Sequence, residues 1–266
     1  HMVFSTGRQL FWLTSEGEIT PLALPLDTPV GSPMFHPHAL RMLVISGHYD
    51  SDIVQVTRGP DDLNVTMMKT LVRSNVGDYN GKIQPNGDVM AFTSGRAGGM
   101  QLWVDEAGQI KPLTRFPKDT FIDGIAWSSD GRTILVNANR QLHLVGLDGQ
   151  TQAIDARLPV GQLLTWDSDN QIAYVNVRDK GVTKFAKLDT QTGLLTVDEH
   201  TLAKFAALTT NGELIYQDAL DRFWQQGTME DSLIEPIAEL GSDRGFVIDN
   251  RRLVGLSDDS ELWSYD

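Results

Sequence analysis

Apolar residues along this chain come in short runs, each broken by a polar turn and resumed as a second apolar run. Met34-Phe35-His36-Pro37-His38-Ala39 leads into Met42 to Ile45, and Lys82-Ile83-Gln84-Pro85-Asn86-Gly87 into Val89 to Phe92. The pattern returns at Ile125-Ala126-Trp127-Ser128-Ser129-Asp130-Gly131 before Ile134 to Val136, and at Leu164-Thr165-Trp166-Asp167-Ser168-Asp169-Asn170 before Ile172 to Val175. It returns again at Ala207-Leu208-Thr209-Thr210-Asn211-Gly212 before Leu214 to Tyr216, and at Phe246-Val247-Ile248-Asp249-Asn250 before Leu253 to Leu256. Asn-Gly, Asp-Gly and Asp-Asn accept the positive φ of tight hairpin turns, so each unit predicts two antiparallel strands.

The second half of each unit supplies two more strands. Third strands are predicted at Gln101 to Val104, Gln141 to Leu144 and Glu261 to Ser264, with an echo at Gln9 to Trp12. Fourth strands follow a Gly turn at Gly108 to Thr114, Gly149 to Ile154 and Gly17 to Leu22. Turn positions Ala39, Gly87, Gly131, Asn170, Gly212 and Asn250 recur at about 42 residues, the length of a four-stranded propeller blade, roughly 40–45 residues. The expected fold is therefore all-β: a six-bladed β-propeller of four-stranded antiparallel blades, one domain over residues 3–266. Because an open array leaves unpaired edges, the N- and C-terminal strands are expected to close the ring within one blade. Both ends offer a third strand, so that blade has one strand too many. Residues 201–208 and 214–225 also fit helical spacing, and repeat position alone assigns them to strands.

The unit from Gln84 to Thr114 carries a recognisable pattern: Gln84-Pro85-Asn86-Gly87, Met90-Ala91-Phe92-Thr93-Ser94-Gly95-Arg96, Gln101-Leu102-Trp103-Val104 and Leu113-Thr114. It resembles the TolB-type propeller repeat, and Trp127-Ser128-Ser129-Asp130-Gly131-Arg132 is a second match. The resemblance spans most of the chain by spacing and two blades by motif. It implies a binding or sensing propeller of the bacterial periplasm. The expected form is the C-terminal sensor of a membrane-anchored transcriptional regulator similar to CadC or ToxR; the alternative is a TolB-like envelope scaffold that binds a lipoprotein or peptide, and the third in order is a propeller enzyme of lyase or hydrolase type with its site in the channel. A peptidase propeller would need an attached hydrolase with a nucleophile elbow, and no G-x-S-x-G occurs.

Charge narrows the partners. Lys and Arg number 22 against 35 Asp and Glu, a net −13, so this domain is not expected to contact nucleic acid. Zero Cys excludes disulfides, thiol catalysis and Cys-ligated zinc. No run of 18 apolar residues exists to span a bilayer. His1-Met2 reads as a cloning scar, which fits an excised domain whose signal or anchor lies upstream.

Blade geometry gathers the starts of the first strands and the two-three loops on one face. Arg96, Arg140, Arg178 and Arg222 fall in four successive two-three loops there, with Tyr49, Asp78, Tyr79 and Asp123 beside them. As a ring of permanent charges they would bind a protein partner or a small anion. As structural clamps they would instead pair with Asp78, Asp123 or Asp218 and lock neighbouring blades, the reading the repeat motif favours. His36 and His38 lie roughly 15–20 Å from His48 across the strand between them, so no metal site is expected. No cofactor motif is present and no catalytic set stands out; the expected protein is non-enzymatic.

Overall fold

The computed structural model describes residues 2–5, 9–23, 30–35, 42–46, 51–58, 65–85, 87–198, 202–227, 231–234, 245–249, 252–256 and 262–265. Every regular element among them is a strand, and none is a helix that could cross a membrane. The N-terminal sheet joins β1 (Met2–Ser5), β2 (Leu10–Leu13) and β3 (Ile19–Leu22). Two hairpins follow: β4 (Val30–Phe35) with β5 (Met42–Ser46), and β6 (Ile53–Arg58) with β7 (Val65–Val72).

Four complete four-stranded meanders come next. They are β8 (Asp78–Ile83), β9 (Met90–Ser94), β10 (Gln101–Glu106) and β11 (Gln109–Pro112); then β12 (Ile122–Trp127), β13 (Thr133–Ala138), β14 (Gln141–Gly146) and β15 (Thr151–Ala153). After these stand β16 (Val160–Asp167), β17 (Ile172–Asp179), β18 (Val182–Asp189) and β19 (Leu195–Val197), and then β20 (Ala203–Leu208), β21 (Leu214–Asp218), β22 (Phe223–Gln225) and β23 (Ser232–Ile234). The chain ends in a three-stranded sheet of β24 (Phe246–Asp249), β25 (Arg252–Leu256) and β26 (Leu262–Tyr265).

The segment with helical spacing is thus strand, as repeat position predicts. The described strands of the two ends build two three-stranded sheets, and among the described residues no ladder joins them, so the expected closing blade is not seen there.

Successive sheets pack face to face with their first strands side by side: β12 lies between β8 and β16, β16 beside β20, β20 beside β24, and β1 beside β4. The core is therefore a series of apolar seams. Leu102, Val104, Ile125, Ile134 and Val136 fill one seam; Leu135, Leu142, Val160, Leu163 and Val175 the next; Tyr174, Phe185, Ala203 and Tyr216 a third. In the third seam Phe185 stacks on Tyr174 at 6.2 Å and on Tyr216 at 5.8 Å. Alternation along the second strands explains this: buried on both faces, Ala173 to Val177 and Ile134 to Ala138 read as near-continuous apolar runs.

One polar position interrupts those runs in each complete sheet. Thr93, Asn137, Asn176 and Gln217 occupy the same place in β9, β13, β17 and β21, and all are buried. Each lies opposite a bulge in the first strand, between Tyr79 and Lys82, Ile122 and Gly124, Val160 and Gln162, and Ala203 and Phe205. A bulge leaves ladder groups free for other partners. Two of the amides use that freedom to reach the next sheet. Asn137 Nδ2 donates to the Val160 carbonyl at 3.3 Å, and Asn176 Nδ2 to the Ala203 carbonyl at 2.6 Å. Gln162 Nε2 adds a bond to the Lys204 carbonyl at 3.3 Å.

The opposite face is stitched as well. Gln84 Nε2 donates to the Gly131 carbonyl at 2.7 Å and Trp127 Nε1 to the Lys82 carbonyl at 3.0 Å, both between sheets. Ser129 N donates to Ser168 Oγ at 2.8 Å, and Ser129 Oγ to Asp169.

Asn176→Ala removes the donor to Ala203 and leaves a buried carbonyl unsatisfied, which costs about 1–3 kcal/mol. Urea unfolding should show that loss. An equally large loss for Gln191→Ala, an exposed turn residue, would show that the stitch has no special weight.

Candidate functional site

The bulged ends of the first strands meet around one cavity of about 620 Å³. Five successive sheets contribute to its wall, through β8, β12, β16, β20 and β24. Its polar lining is Asn80, Lys82, Asp123 and Gln162, and Phe205, Phe246 and Val247 form an apolar sector. Asn80 holds φ at 56°, a left-handed conformation that Asn tolerates, and donates through Nδ2 to Thr93 Oγ1 at 3.2 Å.

Asp123 is the bulge residue of β12. Its Oδ2 accepts from Leu163 N of the next sheet at 3.2 Å. Burial pushes its carboxyl above the usual value, and the bonds from Leu163 and Asn137 only partly offset that. Lys82 is the cation of the cavity, with no ion pair among the described residues. Its side chain opens onto the channel, yet the surrounding wall removes bulk water from the ammonium, and this desolvation holds its pKa below the ordinary lysine value. Sequence reading missed Lys82, which sits inside a predicted strand, and Gln162, which lies before the strand predicted from Leu164; the bulges of β8 and β16 leave no signature in the apolar pattern.

The predicted arginine ring divides in two. Arg96 Nη2 meets Asp78 Oδ1 at 2.9 Å, Arg96 Nε donates to Ser94 Oγ at 3.0 Å, and the guanidinium lies 5.4 Å from the Trp103 ring centre and 5.2 Å from that of Phe92. Asp78 is wholly buried and also accepts from Ser74 Oγ at 2.9 Å. Arg222 makes the analogous cluster: Nη2 and Nε reach Asp218 Oδ2 at 2.7 and 2.8 Å, Trp224 Nε1 donates to the same oxygen at 2.9 Å, and the guanidinium covers the Trp224 ring at 5.3 Å. Both are clamps, but each holds its own sheet together; the expected clamp between blades is carried instead by Asp123 and the second-strand amides. Burial raises the Asp218 pKa, but the bonds from Trp224, Arg222 and Leu220 outweigh it and hold the carboxyl below the usual value.

Arg140 and Arg178 remain exposed, with no ion pair among the described residues. Asp78 and Tyr79 open strand β8 and are not loop residues; Tyr79 is 41% exposed and its carbonyl accepts from Thr93 Oγ1 at 3.2 Å. Tyr49, like His36, His38 and His48, lies outside the described residues. Among the described residues no three His, Asp or Glu side chains converge as metal ligands.

This arrangement of sheets about an axial cavity matches known folds. The structure is similar to a chain of the nidogen/laminin complex, with a TM-score of 0.63 at 12% identity over 82% of this chain and 86% of that one. It is similar to a putative TolB from Agrobacterium tumefaciens, with a TM-score of 0.58 at 14% identity over 73% and 75%. It is similar too to TolB from Acinetobacter baumannii, with a TM-score of 0.54 at 12% identity over 98% and 77%. No protein-family model matches the chain, and no curated protein matches its sequence. The class defined by fold and cavity is a β-propeller of the TolB-like kind.

Arg96→Ala strands the buried Asp78 carboxylate and should cost about 3 kcal/mol in urea unfolding. Arg178→Ala should stay within about 0.5 kcal/mol, as for other exposed positions. Equal losses at the two sites would contradict the division of the ring.

The two carboxylates titrate with opposite sign. Asp218, depressed, stabilises fully above its unfolded value of 3.8, and that contribution is lost as pH falls through the lower folded value. Asp123, raised, imposes a penalty that is complete above its folded pKa and vanishes below 3.8. Thermal denaturation from pH 3 to 7 should find Asp123→Asn as stable as the parent or more so at neutral pH, with any advantage gone in acid. Asp218→Asn should be destabilised at neutral pH and approach the parent in acid.

Proposed function

We propose that the protein is a non-enzymatic binding propeller of the bacterial envelope that receives a segment of a partner protein at the mouth of its axial cavity. The observation that carries this reading is the convergence of five first strands on one cavity holding an unpaired, partly desolvated lysine. A space of about 620 Å³ admits several residues of extended peptide. Bulged first strands expose backbone groups to it, and the Phe205, Phe246 and Val247 sector offers apolar contact. Lys82 favours a carboxylate at the inserted end, because pairing restores the charge that desolvation disfavours.

Two likenesses support a role in binding rather than turnover. One similar fold was solved within a nidogen/laminin complex, and two others are a TolB and a putative TolB. The TolB likeness supports the envelope scaffold over the sensor of an anchored regulator, for which no structural observation speaks. A six-bladed closed ring with a periplasmic location belongs to the same proposal.

Panning a random peptide library against the folded protein tests it. Enriched peptides should carry a carboxylate near one end, and Lys82→Gln should weaken them at least about tenfold, the effect of roughly 1.4 kcal/mol. Peptides that bind the Lys82→Gln protein unchanged, or a library that yields no binders, would overturn the axial reading.

A further inference from the structure

A second cavity lies off the axis, in the seam between the β12–β15 and β16–β19 sheets. Its volume is about 410 Å³. Arg140 and Arg157 stand at its edge, and Ile154, Leu158 and Pro159 give it an apolar floor. Backbone bonds bring a third arginine to the same segment: Val160 N donates to the Arg140 carbonyl at 2.9 Å, and Arg178 N to the Pro159 carbonyl at 3.3 Å. None of the three guanidinium groups has an ion pair among the described residues. Of the nearby carboxylates, Asp179 accepts from Lys184 Nζ at 3.3 Å, and Asp155 is not part of the cavity wall. In a protein of net charge −13, Arg140 and Arg157 at one cavity, with Arg178 of β17 bonded through its backbone to the same segment, are a local reversal of sign.

Backbone conformation adds an independent observation. Three hairpins join their third strands through two-residue turns with positive φ at both positions: Ala107-Gly108, Asn139-Arg140 and Lys180-Gly181. In such a turn glycine is favoured at the second position. Two of the three have it, at φ 87° in both cases, whereas Arg140 holds φ 67°. A left-handed conformation disfavours a side chain by about 1–2 kcal/mol. The molecule thus carries a guanidinium where the turn asks for glycine, and that turn is the one bordering the cavity. Strain of this kind concentrates where a side chain serves a ligand.

We propose that this seam cavity binds a small organic anion: a carboxylate or phosphomonoester head on a compact apolar body. The head takes bidentate bonds from Arg140 and Arg157, whose planar forks suit either group. Arg178 adds long-range attraction, and the body rests on Ile154, Leu158 and Pro159. The site is separate from the axial cavity and does not depend on the reading given for it.

The test is titration of the folded protein with benzoate, phenyl phosphate and the neutral benzyl alcohol, followed through the arginine Nε–Hε resonances. Both anions should shift Arg140 and Arg157 with dissociation constants of about 1 mM or better, and benzyl alcohol should not. The stronger of the two identifies the head group. Added salt should weaken binding, since the head is partly exposed. Arg140→Gly suits the turn and should leave the melting temperature unchanged or higher, so any loss of binding cannot be ascribed to unfolding. That variant and Arg157→Gln should each weaken binding at least about tenfold. Equal binding by benzyl alcohol, unchanged affinity in the two variants, shifts confined to Arg96 or Arg222, or no binding of either anion would each overturn the proposal.

Discussion

Among the described residues neighbouring sheets share no backbone ladder, so their relative placement rests on what crosses the seams. Apolar packing supplies most of the attraction but is indifferent to small slides of one sheet over another. The buried second-strand amides remove that freedom. Asn137 and Asn176 each bind the carbonyl of the first strand residue of the next sheet, at the same structural position in successive repeats. A displaced sheet would leave an amide and a carbonyl unpaired in a dry seam, and that penalty is steep. The stitches therefore convert a slippery apolar contact into a registered one. They also explain the bulges, since a first strand fully engaged with its second strand could not turn residues such as Asp123 toward the neighbour.

The axial cavity is a by-product of the same constraint. Bulges that free backbone for stitching also rotate Asn80, Asp123 and Gln162 toward the axis, where the sheets are too far apart to fill the space. Stitching and lining are thus done by the same residues: Asp123 bonds Leu163 of the next sheet, and Gln162 bonds both Asn176 and the Lys204 carbonyl. Lys82 joins this network only through its carbonyl, which accepts from Trp127 Nε1; no ion pair of its side chain is seen among the described residues. If the proposed function holds, affinity at the axis and the placement of the sheets are coupled through these side chains, and a change at Asp123 or Gln162 would alter both.

Much of the architecture was legible in the sequence because hairpin turns have strong local chemistry. The Ser128-Ser129-Asp130-Gly131 turn and the repeat spacing located the first and second strands of the complete sheets, and placed β20 to β22 as strands despite their helical spacing. At the ends strand periodicity cannot say which strands pair: it offers a third strand at both, and among the described residues each end has its own three-stranded sheet. The arginines were found by loop position but not sorted by it. Whether a guanidinium is clamped depends on an acid folded against it from elsewhere, as Asp78 lies against Arg96 across 18 residues. Lys82 and Gln162 carried no local signal, because a bulge is decided by the partner strand.

The fate of each arginine follows from its setting. Arg96 is largely buried over Trp103, where a guanidinium needs a counter-charge, and has Asp78; Arg222 stands half-exposed over Trp224 and pairs with Asp218, which also accepts from the indole. Arg140, Arg157 and Arg178 project into water at the seam, where no such demand exists and an aspartate would add little. Their charge is therefore unspent, and repulsion among three like charges around one loop makes an arriving anion more welcome than at any isolated arginine. The axial cavity and the seam cavity thus differ in kind. The first offers one desolvated cation within a polar, hydrogen-bonded wall and suits a chain end. The second offers solvated cations beside an apolar lining and suits a small amphipathic anion, so the two proposals call for different classes of ligand at separate sites.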